Sequence, residues 1–165
     1  MPPEAHFDLS TIDQSRVLVD REGIRRVNPQ RFEMEHLDGI LHHDRDQGIV
    51  VGFKDVREDE FWVRGHMPGM PLLPGVIMCE AAAQLGSYYA MTHGMFGPHS
   101  ILGLGGLDDV RFRGPVRPGD RLILVAKAVR VKPRQSIFDV QGFVGGGMVF
   151  HAQVIGIRLD APPGE

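Results

Sequence analysis

Alternating and continuously apolar segments, rich in valine, isoleucine and phenylalanine, predict a protein built mostly from β-strands. The segments with this pattern are residues 48–56, 60–64, 121–132, 136–144 and 148–159. Three consecutive glycines, Gly145, Gly146 and Gly147, separate the last two segments. Glycine accepts a positive φ without steric cost, so we expect a tight β-hairpin at this point.

A different pattern covers residues from about 76 to 91, which have the length and the alanine content of one long helix. Between residues 65 and 107 the only Asp, Glu, Lys or Arg is Glu80, although 24% charged residues would place about ten there. A helix that is apolar on nearly every face should be buried. One buried helix with several antiparallel strands predicts an α+β fold in which a curved sheet wraps the helix.

Glu80 is the first candidate for chemistry. A carboxylate in apolar surroundings is costly unless it is hydrogen-bonded, paired or protonated, and a protonated carboxyl group can act as a general acid. Gln84 lies four residues later on the same helical face, where it can orient Glu80. A purely structural glutamate, hydrogen-bonded to the backbone, remains an equal alternative on these residues alone.

In the loop before the helix, residues 65–75, prolines that stiffen the backbone alternate with glycines that let it turn. Prolines fix φ and stiffen the chain at Pro68, Pro71 and Pro74. Such a loop is suited to holding one side chain in place. His66 is the candidate base, because histidine is the residue type whose ordinary side-chain pKa lies nearest neutral pH. Gly75 stands where the helix begins, so its backbone N–H is a candidate oxyanion donor. A structural histidine and a glycine needed only for the turn are the alternatives.

Composition excludes several classes of protein. The chain has 165 residues, 42% of them hydrophobic, which fits one soluble domain. We expect no membrane insertion and no signal peptide, because no sufficiently long apolar run occurs. The single cysteine, Cys79, fits a reducing compartment, and the expected location is cytoplasmic. A net charge of −3 argues against nucleic acid as a partner.

The charge is unevenly spread, because residues 111–134 contain eight basic side chains and one acid, Asp120. Such a run can attract an acidic partner, or it can simply form solvated strand faces. No pattern indicates a metal or another cofactor: the adjacent His42 and His43 match no standard metal site and predict a solvated loop.

The chain is expected to contain an N-terminal extension of uncertain order, residues 1–28, then one domain, residues 29–160, and a tail, residues 161–165.

The segment GHMPGMPLLPGVIMCEAAAQ, residues 65–84, resembles the β-hydroxyacyl-acyl-carrier-protein dehydratases of type II fatty acid synthesis, which have the hot-dog fold. The segment LGLGGLDDVRFRGPVRPGDRLIL, residues 102–124, is also similar to that family, and the likeness covers roughly residues 40–158. Glutamate at position 80, where isomerising relatives carry aspartate, favours the simple dehydratases. Met67 and Gly114 depart from the phenylalanine and arginine usual in the family.

The resemblance implies a reaction and roles for the candidate residues. His66 would remove the α-proton of a (3R)-hydroxyacyl thioester, and Glu80 would protonate the departing hydroxyl group to leave a trans-2-enoyl thioester. The Gly75 amide would polarise the thioester carbonyl, while Gln84 and Pro74 would support the site. No cofactor is implied.

The resemblance also implies partners. The two catalytic side chains would come from opposite subunits of a homodimer, and three dimers can form a hexamer. The substrate would arrive on the phosphopantetheine arm of an acyl carrier protein, with Arg111 and Arg113 as the first candidates for contacting that protein. The rivals are a hot-dog acyl thioesterase and a non-catalytic acyl-binding hot-dog protein.

Overall fold

The computed structural model describes residues 1–162 of the chain and consists of a seven-stranded antiparallel sheet with one long helix. The strands are β1 (Val19–Asp20), β2 (Gly39–Asp44), β3 (Ile49–Asp55), β4 (Ser100–Phe112), β5 (Arg121–Lys132), β6 (Gln135–Val144) and β7 (Gly147–Asp160). The helices are α1 (Arg21–Arg25) and α2 (Gly75–Thr92). The strand order in the sheet is β1-β2-β3-β5-β6-β7-β4, so the predicted α+β class is confirmed.

Helix α2 forms the centre of the core. It packs against all strands from β3 to β7, and twelve of its residues are buried. This burial follows from its apolar sequence, because a helix without a polar face has no side to turn toward solvent. Within residues 1–162, no helix is both long enough and apolar enough to cross a membrane.

The hairpin predicted at the three glycines is confirmed. Gly145 and Gly146 form the turn between β6 and β7, with φ values of 56° and 83°, and Gly147 pairs with Val144 as the first residue of β7. Positive φ at both central positions is the requirement of a two-residue hairpin turn whose twist matches the strands.

Two local predictions are wrong. Residues 60–64 form turns and not a strand, because the Glu60 carboxylate accepts hydrogen bonds from the Arg57 backbone N–H and the Trp62 indole and so curls the chain. His42 and His43 lie in β2 and not in a solvated loop; the His42 ring stacks on Phe7 at a centroid distance of 4.7 Å.

The N-terminal residues cover the face of the sheet that points away from α2. The His6 backbone N–H donates to the side chain of Gln141 (2.9 Å), and Gln141 donates to the carbonyl of Glu4 (2.8 Å). Phe7, Leu9 and Ile12 pack on an apolar cluster formed by Leu41, Ile49, Val51, Phe53, Ile123, Val125 and Phe143. Residues 163–165 of the expected tail lie outside the described residues.

Candidate active site

His66 is held by backbone groups on both sides. Its N–H donates to the carbonyl of Trp62 (2.8 Å), and its carbonyl accepts from the N–H of Leu72 (2.8 Å). The imidazole Nδ1 lies 2.7 Å from the carbonyl oxygen of Leu72. Because a carbonyl can only accept, Nδ1 must carry the proton in the neutral ring, which leaves the lone pair on Nε2. In the neutral ring, Nε2 is therefore the one nitrogen that can accept a proton.

The loop around His66 is fastened at its end and exposed along its middle. Leu73 is buried, and its N–H donates to the carbonyl of Val116 (2.8 Å) in the connection before β5. By contrast, the side chains of Met67 and Met70 are exposed, and Val76 in the first turn of α2 is 75% exposed. These apolar side chains, close in sequence to His66 and Gly75, are therefore left uncovered by the single chain.

Glu80 is half-buried on α2, and Gln84 holds it as the helical spacing predicted. The Gln84 side-chain Nε2 donates to Glu80 Oε1 (2.8 Å) and to the carbonyl of Met34 (2.6 Å). Its Oε1 accepts from the backbone N–H of His36 (2.9 Å), and its own carbonyl accepts from the side chain of Asn28 (2.9 Å). Gln84 therefore connects Glu80 to the segment that precedes β2.

Gly75 is the first residue of α2, directly after Pro74. The first hydrogen bonds of the helix run from the N–H groups of Ile77 and Met78 to the carbonyl of Pro74 (2.9 and 3.2 Å). The N–H of Gly75 comes before them in the chain and is one of the N-terminal donors that a helix does not use. A Cβ atom at position 75 would lie 2.6 Å from the ring of Phe112. A side chain at this position would therefore displace the Phe112 ring, independently of any role of the amide.

Arg111 and Arg113 are exposed and lie at the end of β4, on either side of Phe112. Arg111 pairs with Asp109 (3.4 Å), and Arg113 Nε donates to Nδ1 of His151 (3.3 Å). These side chains line an open cleft of about 470 Å³ that also contains Asp108, Asp109 and Asp139. The basic run is therefore partly balanced by acids from β4 and β6.

Two buried titratable groups lie near the site. Burial raises the pKa of the Cys79 thiol, so this side chain stays a neutral core group and not a nucleophile. Burial, and then the positive charge of Lys54, lowers the pKa of His36 to about 4. Among residues 1–162, no three His, Cys, Asp or Glu side chains are placed to hold a metal ion.

Within residues 1–162, His66 is hydrogen-bonded to Trp62 and Leu72, and the side chain of Glu80 is hydrogen-bonded to Gln84. In this part of the chain no hydrogen bond joins the two predicted catalytic side chains. Sequence reasoning missed the contacts of Gln84 with Met34 and His36. Those contacts span 50 and 48 residues of the chain, and no local pattern signals them.

Residues 28–153 match the FabA-like domain family. The chain belongs to this family. The predicted resemblance to the β-hydroxyacyl-acyl-carrier-protein dehydratases is thereby confirmed.

Curated relatives and a solved structure agree with this assignment. The chain is 36% identical over 138 residues to the 3-hydroxyacyl-acyl-carrier-protein dehydratase FabZ of Desulfotalea psychrophila, which covers 83% of this chain and 91% of the relative. It is 32% identical over 144 residues, 87% of this chain, to the bifunctional enzyme LpxC/FabZ of Chlorobaculum tepidum, of which it spans only 31%. The dehydratase heterocomplex ApeI:P of Xenorhabdus doucetiae matches with a TM-score of 0.72 at 16% identity, over 83% of this chain and 91% of the other. This likeness confirms the hot-dog fold of the FabA-like chain.

Proposed function

We propose that this FabA-like protein removes water from a (3R)-hydroxyacyl thioester carried by acyl carrier protein, giving the trans-2-enoyl thioester of fatty acid synthesis in the cytoplasm. The observation that carries the proposal is the pair of fixed side chains. His66 is locked with Nδ1 toward Leu72, and Glu80 is held by Gln84, in a chain 36% identical to a FabZ dehydratase.

The chemistry follows from what each group offers. Nε2 of His66 takes the α-proton, and the C–H electron pair moves into the developing double bond. Glu80 in its protonated form donates its proton to the 3-hydroxyl group, which leaves as water when the C–O bond breaks. The Gly75 N–H stabilises negative charge that develops on the thioester oxygen, aided by the dipole of α2. The proton that His66 gains returns to the Glu80 carboxylate through solvent, which closes the cycle.

The active unit in this proposal is a homodimer in which His66 of one subunit faces Glu80 of the other. Within residues 1–162, strand β4 lies at the edge of the sheet and pairs only with β7, so its second edge is available to another chain. Five exposed apolar side chains lie on the loop, on the start of α2 and on β4: Met67, Met70, Val76, Leu104 and Phe112. A second subunit would cover this apolar surface, and three dimers would form a hexamer.

The carrier protein would approach Arg111 and Arg113, whose exposure supports a contact with an acidic partner. The phosphopantetheine arm would carry the thioester from there toward His66, and no cofactor takes part in the chemistry proposed.

A hydration assay tests the function. A short trans-2-enoyl thioester is supplied, and the loss of its conjugated absorbance is followed together with the release of free thiol. We expect hydration that falls at least about 100-fold in both His66→Ala and Glu80→Gln. The exposed residues His99 and Glu58 provide the matched controls His99→Ala and Glu58→Gln, which should retain full activity.

The same assay separates the rivals. Thiol release without hydration would identify an acyl thioesterase. The absence of both signals would identify an acyl-binding protein and overturn the dehydratase proposal.

A further inference from the structure

A lysine and a glutamate form an ion pair inside the protein, behind the loop that carries His66. The side chain of Lys54 at the end of β3 is 1% exposed, that of Glu60 is 9% exposed, and Lys54 Nζ lies 2.8 Å from Glu60 Oε2. Burying two charges costs several kcal/mol for each ion, and hydrophobic replacements are often equally stable, so burial alone does not explain such a pair. The hydrogen bonds around it point to a different role.

The Glu60 carboxylate fixes the turn that leads to His66. Besides Lys54, it accepts a hydrogen bond from the Trp62 indole N–H (3.0 Å) and one from the backbone N–H of Arg57 (3.0 Å). One carboxylate therefore joins strand β3, the beginning of the turn and the tryptophan near its end. Trp62 is itself buried, so the packing around its ring also holds the turn in place.

Trp62 passes this restraint to the candidate base. Its carbonyl oxygen accepts the backbone N–H groups of both Gly65 (3.1 Å) and His66 (2.8 Å). A continuous path of short contacts thus runs from the rigid sheet through Lys54, Glu60 and Trp62 to the backbone of His66. Leu72 bonds both the carbonyl and the imidazole Nδ1 of His66, so the backbone and the ring of His66 are each held by a hydrogen bond.

We propose that Lys54 and Glu60 are positioning residues for the dehydration: their buried ion pair fixes the backbone of His66 so that Nδ1 faces the Leu72 carbonyl and Nε2 faces the substrate. This inference rests on the proposed function. It assigns no contact between either residue and the substrate. Its consequence is that loosening the pair allows both imidazole tautomers, which lowers the fraction of the enzyme with a correctly placed base.

The test uses the full-length double variant Lys54→Met/Glu60→Gln, which removes both charges and keeps the volume of the side chains. Glutamine has one accepting oxygen, so it keeps the bond from Trp62 and gives up the bond from the Arg57 N–H. Removing both charges together avoids an unpaired buried ion. We expect cooperative thermal unfolding, a kcat for enoyl-thioester hydration reduced about 10- to 100-fold, and a KM changed less than about threefold. The ring ¹⁵N shifts of His66 should move from a fixed Nδ1–H form toward a mixture of tautomers.

The matched control is Gln141→Leu, because Gln141 is an equally buried polar side chain that fastens the N-terminal residues instead of the loop. It should keep both kcat and the His66 ¹⁵N shifts. If the double variant fails to fold, Trp62→Phe breaks the same path at its next step: it removes the indole donor to Glu60, together with part of a buried ring, and should shift kcat and the His66 ¹⁵N signals in the same direction.

A folded double variant with kcat within threefold of the parent, or with reduced kcat but unchanged His66 shifts, overturns the positioning role. A parent protein that does not hydrate the substrate overturns the proposed function instead, so the two failures are distinguishable.

Discussion

Gln84 has both of its side-chain N–H groups and its side-chain oxygen committed to neighbouring groups. The N–H groups bond to Glu80 and to the carbonyl of Met34, and the oxygen accepts from the N–H of His36. The residue is 2% exposed, so water cannot replace these partners. One amide thereby orients the candidate acid and fastens residues 34–36 against α2.

Replacing Gln84 with leucine should affect stability and catalysis together. The buried N–H of His36 and the partly buried carbonyl of Met34 lose their partner, so the free energy of unfolding in urea should fall by about 1–3 kcal/mol. The kcat for enoyl-thioester hydration should also fall, because Glu80 is no longer held. Gln153→Leu removes a half-buried side-chain bond to Asp139 and should change neither quantity by a comparable amount. Equal losses in the two variants would contradict the role of Gln84.

His36 should make the protein less stable in mild acid. Its pKa is 6.5 in the unfolded chain and about 4 in the folded protein, because burial and then Lys54 disfavour the charged ring. Between these two pH values the unfolded chain binds more protons than the folded protein. The contribution of His36 to the free energy of unfolding is therefore fully present above pH 6.5. It falls by roughly 1.4 kcal/mol for each pH unit down to about pH 4.

The measurement compares urea unfolding of the parent and His36→Leu at pH 7 and pH 5. Neither ring nitrogen of His36 has a hydrogen-bond partner among residues 1–162, so leucine leaves no group unsatisfied. The variant should lose less stability than the parent between the two pH values. Identical losses would show that His36 does not titrate as the structure implies.

At the scale of elements, the start of α2 depends on its fit against β4. The ring of Phe112 occupies the space where a side chain at position 75 would begin, and it stacks on Phe150 at a centroid distance of 5.6 Å. The same contact brings the Gly75 amide and the β4 strand together. The position of the candidate oxyanion donor is therefore set by packing between two elements.

Gly75→Ala should lower the melting temperature, because overpacking of this kind costs about 1–3 kcal/mol. Adding Phe112→Leu should restore most of the loss, since the ring atoms that clash are removed. A Cβ at Gly65, in the same loop, would meet no atom of the described residues within 4 Å, so Gly65→Ala serves as the control for stability. A single variant Gly75→Ala as stable as the control would contradict the packing requirement.

The sequence was informative about elements wherever one pattern dominated. Length and alanine content predicted the helix over residues 76–91, and α2 spans Gly75–Thr92; the absence of charge predicted that it is buried. Strand β4 was not predicted, because Gly103, Gly105 and Gly106 interrupt the alternation of its side chains. A Cβ at Gly103 would lie 2.6 Å from the end of the exposed Leu159 side chain on β7, which would have to shift. Residues 60–64 carry strand-like side chains, but the Glu60 carboxylate binds Lys54, the Arg57 N–H and the Trp62 indole, and these bonds hold the segment in turns.

At the scale of the whole molecule, the sequence could predict the candidate residues but not their supports. Gln84 lies one helical turn from Glu80, so their contact follows from spacing alone. The tautomer of His66 depends on the Leu72 carbonyl, and the supports of Gln84 come from a segment about 50 residues away. Such contacts are set by the fold and have no signature in a local pattern.

The central claim, that each active site joins His66 of one subunit to Glu80 of the other, predicts complementation between two inactive variants. His66→Ala and Glu80→Gln subunits carrying different affinity tags are produced together, and the mixed dimer is purified through both tags. One of its two sites then contains both native residues, so hydration should recover to about half of the parent activity per dimer. A folded mixed dimer as inactive as either variant would contradict the shared site.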